Sequence, residues 1–210
     1  MLVQADGSHH DGLEGRGERI VLLVMIDDAT SRARARFYEG ETTEGYMDLL
    51  VRWLRRYGRR GSLYTDRDSI FWGQAKDKTP SRTQFTRALG ELGISWITAY
   101  SPQAKGRVER FNGTAQDRLV KELRLAGAET LAEANAVLEE VFLPWFNRRC
   151  TVPAASPNDA HRSCQGLNLA AILSLQETRY VANDYTLRWN NEVDKRDNSQ
   201  MHVTRVNSGG

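Results

Sequence analysis

Ile20 to Ile26 is an unbroken apolar run of strand length. A short apolar run bounded by polar residues reads as a strand buried on both faces, and such a strand needs paired neighbours and a covering layer above and below. Leu2 to Asp6 reads as a short strand ahead of it, with a Gly-rich, charged turn from Gly7 to Glu18 between them. Behind it, Ala33, Ala35 and Phe37 alternate with Arg34 and Arg36, the pattern of a half-exposed strand. These three consecutive strands are expected to pair antiparallel.

The period then changes. From Thr43 to Tyr57, Tyr46, Leu49, Leu50, Trp53, Leu54 and Tyr57 form an apolar stripe, opposed by Arg52, Arg55, Arg56 and Arg59, and Gly58 closes the helix. A short strand, Ser62 to Thr65, delivers Asp66 at its end. Ser81 with Gln84 has the form of a capping box for a helix carrying Phe85, Ala88, Leu89 and Leu92, and Ile94 to Ala99 reads as another strand. After a polar loop from Tyr100 to Gly106, Val108, Phe111, Ala115 and Leu119 mark the buried side of a long helix. Lys105, Glu109, Asn112 and Gln116 form a second stripe on it. Thr130 with Glu133 opens a further helix, which Pro144 is expected to kink. The sum is an α/β fold: a mixed five-stranded sheet, three antiparallel strands followed by alternating helix and strand, flanked by helices.

A chain of 210 residues holds one main domain. It is assigned to 1–150, with a helical extension and the start of a small β domain over 151–189, and a polar tail, 190–210, too poor in apolar residues to fix itself. Cys150 and Cys164 have neither CxxC spacing nor nearby finger histidines, so no zinc site or disulfide framework is indicated and a reducing, cytoplasmic setting is expected. No apolar run is long enough to span a bilayer. A net charge of +2 says little about nucleic acid, but the arginine face of the first helix suggests phosphate contacts as well as a merely solvated surface.

Asp6, Asp66 and Glu109 fall at two strand ends and a helix start, where functional residues of mixed sheets gather. Clustered carboxylates repel one another unless a cation neutralises them, and oxygen ligands suit magnesium. Phosphoryl transfer on DNA uses two such ions about 3.5–4 Å apart, one activating the attacking oxygen and one stabilising the leaving oxygen. Taken singly, each acid also reads as a turn, cap or solvent-facing residue.

Four segments carry a resemblance: Gln4-Ala5-Asp6-Gly7-Ser8-His9-His10, Val24-Met25-Ile26-Asp27-Asp28-Ala29-Thr30-Ser31-Arg32, Leu63-Tyr64-Thr65-Asp66 with Ser69-Ile70-Phe71, and Ser101-Pro102-Gln103-Ala104-Lys105-Gly106-Arg107-Val108-Glu109-Arg110. Together they resemble the integrase core of ISNCY-type insertion-sequence transposases, the last segment most specifically, and the likeness runs to about Trp189. It implies a ribonuclease-H-like fold of the retroviral integrase superfamily, and a DDE-type enzyme that cuts and joins DNA strands. It further implies two Mg2+ ions, with Mn2+ able to substitute, Asp6 bridging both, Asp66 holding one and Glu109 the other. Water attacks first, then the freed 3′-hydroxyl.

Asp27 and Asp28 read instead as turn residues between the second and third strands. His9 and His10 point to opposite faces of a strand, so both cannot readily ligate one metal; a surface role is the simple reading, and a phosphate contact the functional one. Lys105, Arg107, Asn112 and Gln116, with Arg52, Arg55, Arg56 and Arg59, are the candidate DNA-binding residues. By the same resemblance the active protein is a homo-oligomer on paired transposon ends and target DNA, in a bacterial-type, nucleoid-associated setting. A helix-turn-helix is expected ahead of such a core and a small β domain after it. Here that domain begins near Tyr180 and loses its pattern after Val193, so a truncated remnant that binds DNA without completing transposition is the alternative, and an unrelated nuclease on the same fold a third reading.

Overall fold

The computed structural model describes residues 2–66, 70–71, 73–74, 80–98, 106–156, 161–177, 186–189 and 192–195. Strands β1 (Leu2–Ser8), β2 (Val21–Asp27), β3 (Ala33–Tyr38) and β4 (Ser62–Thr65) join β7 (Ser95–Thr98) in one five-stranded sheet of order β3-β2-β1-β4-β7. β1, β2 and β3 pair antiparallel, whereas β4 runs parallel to both β1 and β7. Two-residue strands β5 (Gly73–Gln74) and β6 (Pro80–Ser81) form a separate ladder. Within the tail expected to lack structure, β9 (Glu192–Lys195) pairs with β8 (Thr186–Trp189).

All seven residues of β2 are buried, which is why its sequence shows no polar alternation. Its two faces feed two cores. Val21, Leu23 and Met25, with Val3 and Ala5, pack against α1 (Thr43–Tyr57) and α2 (Gln84–Glu91), and the short α7 (Leu169–Ile172) adds Ile172. Leu22, Val24 and Ile26, with Ala33, Ala35 and Phe37, pack against Val108, Phe111 and Phe142 of the helices on the other face. Burying side chains of this size contributes roughly 1.5–3 kcal/mol each.

That second layer consists of α3 (Gly106–Thr114) and α4 (Val120–Leu125), joined by a π-helical turn over Ala115–Leu119, then α5 (Leu131–Val137) and α6 (Leu143–Arg149), joined by another over Leu138–Phe142. The first π turn follows from the sequence. Phe111, Ala115, Leu119 and Leu123 are all buried, and three successive four-residue steps would swing the stripe about 120° around a straight α-helix; the wider turn cancels the drift. The second sits just ahead of Pro144, which has no N–H to continue an α-helical ladder, so the expected kink is realised as a π segment. α5 opens on the expected box of Thr130 and Glu133. α2 does not: Thr83 and Thr86 form its capping box, while the Gln84 amide turns away to bond both the N–H and the carbonyl of Gln176.

The outer edge of β3 is closed by side chains. Asn135 accepts from Phe37 N–H and donates to Phe37 O, and Asn147 does the same at Ala33. Between α1 and the second π segment, Arg36 reaches Glu139 at 2.6 Å while Asp48 accepts from Tyr38 Oη and Arg52 Nε.

Candidate active site at the carboxylate end of the sheet

β1 and β4 run parallel with Leu2 opposite Ser62, Val3 opposite Leu63 and Gln4 opposite Tyr64. Carried two residues further, the same offset sets Asp66 level with Asp6, on strands about 4.8 Å apart. Asp6 is half-buried and Asp66, just past the end of β4, is exposed. Both act on Tyr46 of α1, whose phenol is pushed far above its usual range by burial first, then by Glu41, and then by Asp6 and Asp66. Tyr46 therefore stays neutral and donates to Glu41 Oε1 at 2.7 Å.

Asn112 Nδ2 donates to Asp6 Oδ2 at 3.0 Å, fixing that carboxylate from the helix side. The other end of the same amide, Asn112 Oδ1, is buried and has no hydrogen-bond partner among the described residues. Gln4 sets how α3 meets β1: its Oε1 accepts from Val108 N–H, one of the amides a helix start leaves unpaired, and its Nε2 donates to Asp28 Oδ1. Glu109 follows in the first turn of α3, exposed, one turn before Asn112 on the same side. Among the described residues, no three aspartate, glutamate, histidine or cysteine side chains come close enough together to hold a metal ion. The parallel register puts Asp6 and Asp66 at the same end of the sheet, and Glu109 stands in the first turn of α3, whose start is bonded to β1 through Gln4.

The basic candidates scatter. Arg107 donates to Ser31 Oγ at 2.6 Å, and Gln116 is exposed beside Ser8 and His10 in a small cleft. Lys105 lies outside the described residues. On α1, Arg52 bonds Asp48 at 2.8 Å; Arg59 lies past the Gly58 cap, off the helix, where it donates to the carbonyls of Ser163 and Leu92 and pairs its backbone with Arg162. Arg55 and Arg56 are exposed, but they lie two and a half turns past Tyr46, roughly 13 Å along the axis, toward the opposite end of the sheet. The arginine stripe is therefore not one surface facing the aspartates.

Asp27 has the turn role expected of it: its Oδ2 accepts from Thr30 N–H and Thr30 Oγ1, and Arg60 lies 3.3 Å away. Sequence reasoning missed Gln4, Glu41 and Tyr46. Gln4 carried one available signal, a polar side chain between apolar neighbours in a buried strand; nothing marked Glu41.

No protein-family model matches the chain. Five strands in this order, with helices on both faces, define the ribonuclease-H-like integrase-core fold. Among solved structures, a chain of the simian T-cell lymphotropic virus intasome, in complex with PP2A regulatory subunit B56 gamma, aligns with TM-score 0.51 at 20% identity, over 75% of this chain and 58% of that one. The catalytic core domain of BIV integrase aligns with TM-score 0.47 at 23% identity, over 67% of this chain and 84% of that one.

In sequence, the chain is 42% identical over 193 residues to "Putative transposase y4bF" of Sinorhizobium fredii, and 33% identical over 201 residues to the transposase for insertion sequence IS1202 of Streptococcus pneumoniae. These matches cover 88% and 90% of this chain but 41% of each relative. The chain is thus similar to two transposases and corresponds to about two fifths of the length of each.

Proposed function

We propose that this chain is the catalytic core of a DDE-type transposase, cutting DNA strands and joining them to new ones with the help of divalent cations. The observation that supports the reading is the parallel register of β1 and β4, whose offset, continued past Gln4 and Tyr64, would bring Asp6 level with Asp66 at one end of the sheet. The similarity to two insertion-sequence transposases over most of the chain supports it.

The donor set suits a hard cation: two carboxylates on adjacent strands, with an amide oxygen on Asn112, unpartnered among the described residues, beside Asp6. Asp6 and Asp66 would hold it and Glu109 would complete the set from α3. Mg2+ is the ion in this reading, Mn2+ a substitute, and two ions the expected number. Bound there, the cations would activate the attacking oxygen and neutralise charge on the phosphodiester.

The protein's own part is orientation. Asn112 holds Asp6 Oδ2, Gln4 fixes the start of α3 and with it Glu109, and neutral Tyr46 keeps one donor on Glu41 at the same end of the sheet. Arg107 and Lys105, with Gln116, would meet the DNA backbone from the α3 side. Assembly as a homo-oligomer on paired ends belongs to the same proposal.

The test is strand cleavage and transfer on oligonucleotide substrates in Mg2+ or Mn2+. Asp6→Asn, Asp66→Asn and Glu109→Gln should each abolish cutting with little change in melting temperature, whereas full activity in Glu109→Gln would remove Glu109 from the site. Mg2+ should also raise the melting temperature, by about 2.7 kcal/mol of stability at a hundred times its Kd, and Asp6→Asn should cancel the rise. DNA binding without cutting in the wild-type chain would favour the remnant reading.

A further inference from the structure

We infer that Glu41 and His9 form a phosphodiester-holding pair at the mouth of this site, His9 making the contact and Glu41 acting as its positioning residue; the inference rests on the strand-cutting reading above. Glu41 lies between β3 and α1, just before the helix cap at Thr42. Its carboxylate covers the backbone next to Asp6 so closely that a Cβ on Gly7 would lie 2.5 Å from Oε2. Glycine at position 7 makes room for that carboxylate.

Both oxygens of Glu41 are engaged. Oε1 takes the Tyr46 hydroxyl, and Oε2 lies 2.6 Å from His9 Nε2. The two side chains differ in exposure, 18% for Glu41 and 66% for His9. Glu41 lies against Gly7 on the α1 face of β1, at the same end of the sheet as Asp6 and Asp66; it is held in place from two sides, and what it fixes is the orientation of an exposed imidazole. With Nε2 on Glu41, Nδ1 is the ring nitrogen His9 can offer a ligand, on a side chain that is mostly exposed. Three residues past Asp6, that nitrogen meets the backbone of a strand entering the site. A ring between a carboxylate and a phosphate oxygen donates from both nitrogens, and such a contact holds DNA without reading its sequence.

The experiment measures affinity for a nicked duplex oligonucleotide in Mg2+ buffer over a salt series, with all proteins carrying Asp66→Asn. Binding is then readable whether or not the strand-cutting reading stands. His9→Ala should weaken binding about fivefold, the effect of one exposed charge contact, and reduce the slope of log affinity against log salt by about 0.9. Glu41→Gln should weaken it to a similar degree even though it removes negative charge near the DNA, and the double variant should be no weaker than His9→Ala. Gly7→Ala, which displaces the carboxylate without changing charge, should behave like Glu41→Gln. Tighter binding in Glu41→Gln would show the acid to be only a repulsive charge and overturn the inference, as would an unchanged affinity and slope in His9→Ala, an exposed substitution that leaves the core intact. Loss of the Mg2+-induced melting shift in Glu41→Gln at unaltered DNA affinity, read in the chain with Asp66 restored, would also overturn it, by assigning Glu41 to the metal.

Discussion

Asp27 and Asp28 stand at one end of the sheet and Asp6 and Asp66 at the other, separated along β1 by the three residues from Val3 to Asp6, roughly 10 Å. In the sequence the two pairs look alike, since each places acids at or just past strand residues. Their surroundings differ. Asp27 is 0% exposed and receives a backbone N–H, a hydroxyl and a guanidinium, while Asp28 receives the Gln4 amide. Asp6 receives a neutral amide from Asn112, and the hydroxyl of Tyr46 is given to another acid, Glu41. The donors around Asp27 hold its charge in place for the fold, whereas under the proposed function the charges of Asp6 and Asp66 serve a cation.

The largest expected effect comes from exchanging the two roles. Asp27→Ala breaks the buried ion pair with Arg60 and removes the acceptor for Thr30, and should cost roughly 3–5 kcal/mol in a urea titration, while cleavage per folded molecule stays near wild type. Asp66→Asn should do the reverse. An Asp27 variant with native stability and no cleavage would break the distinction.

Gln4 touches both ends, and so sharpens the comparison. Gln4→Ala strands Val108 N–H and removes the donor to Asp28, which should lower stability by about 1–3 kcal/mol and also slow cleavage, because Glu109 loses its fixed start. Unchanged cleavage in the folded variant would show that α3 is positioned by its apolar stripe alone.

A smaller effect concerns the arginines of α1 and just past it. Arg59→Ala should reduce the urea midpoint, since its guanidinium bonds two backbone carbonyls, whereas Arg55→Ala with Arg56→Ala should leave stability alone and alter DNA affinity little. A marked loss of affinity in the double variant would show that DNA reaches the far end of the sheet.

The smallest lies at low pH. Glu14 is held down to about 2, from 4.5, by hydrogen bonds from Arg124 and then Arg16. A carboxyl with a depressed folded pKa adds stability above its unfolded value and loses it as pH falls toward the folded one, so the contribution is full above 4.5 and fades toward 2. Arg124→Ala should flatten that part of the acid limb, and urea midpoints on either side of the window would measure it.

What could be read in advance follows from how local each signal is. The strands, the Gly58 stop and the Thr130 box depend on residues a few positions apart, and Asp6 and Asp66 were marked by strand ends and by the family-like segments around them. Arg59 could not be read, because the carbonyls it bonds, of Leu92 and Ser163, lie far along the chain and only the folded state brings them near. The sequence points to Ser81 with Gln84 as the cap of α2, but in the fold Gln84 bonds Gln176, and Thr83 with Thr86 forms the box. Glu41 sits in a short acidic connection where one more acid carries no periodic signal; only its contact with Gly7 and His9 sets it apart.

The asparagines on β3 have a consequence beyond this fold's packing. A side-chain amide presents the same donor and acceptor as a peptide unit, so Asn135 and Asn147 let helices stand where a sixth strand would otherwise dock. An open edge is a template that neighbouring molecules can extend into aggregates. On this side the template is already answered at both ends, which blocks a neighbouring molecule from extending the sheet through β3.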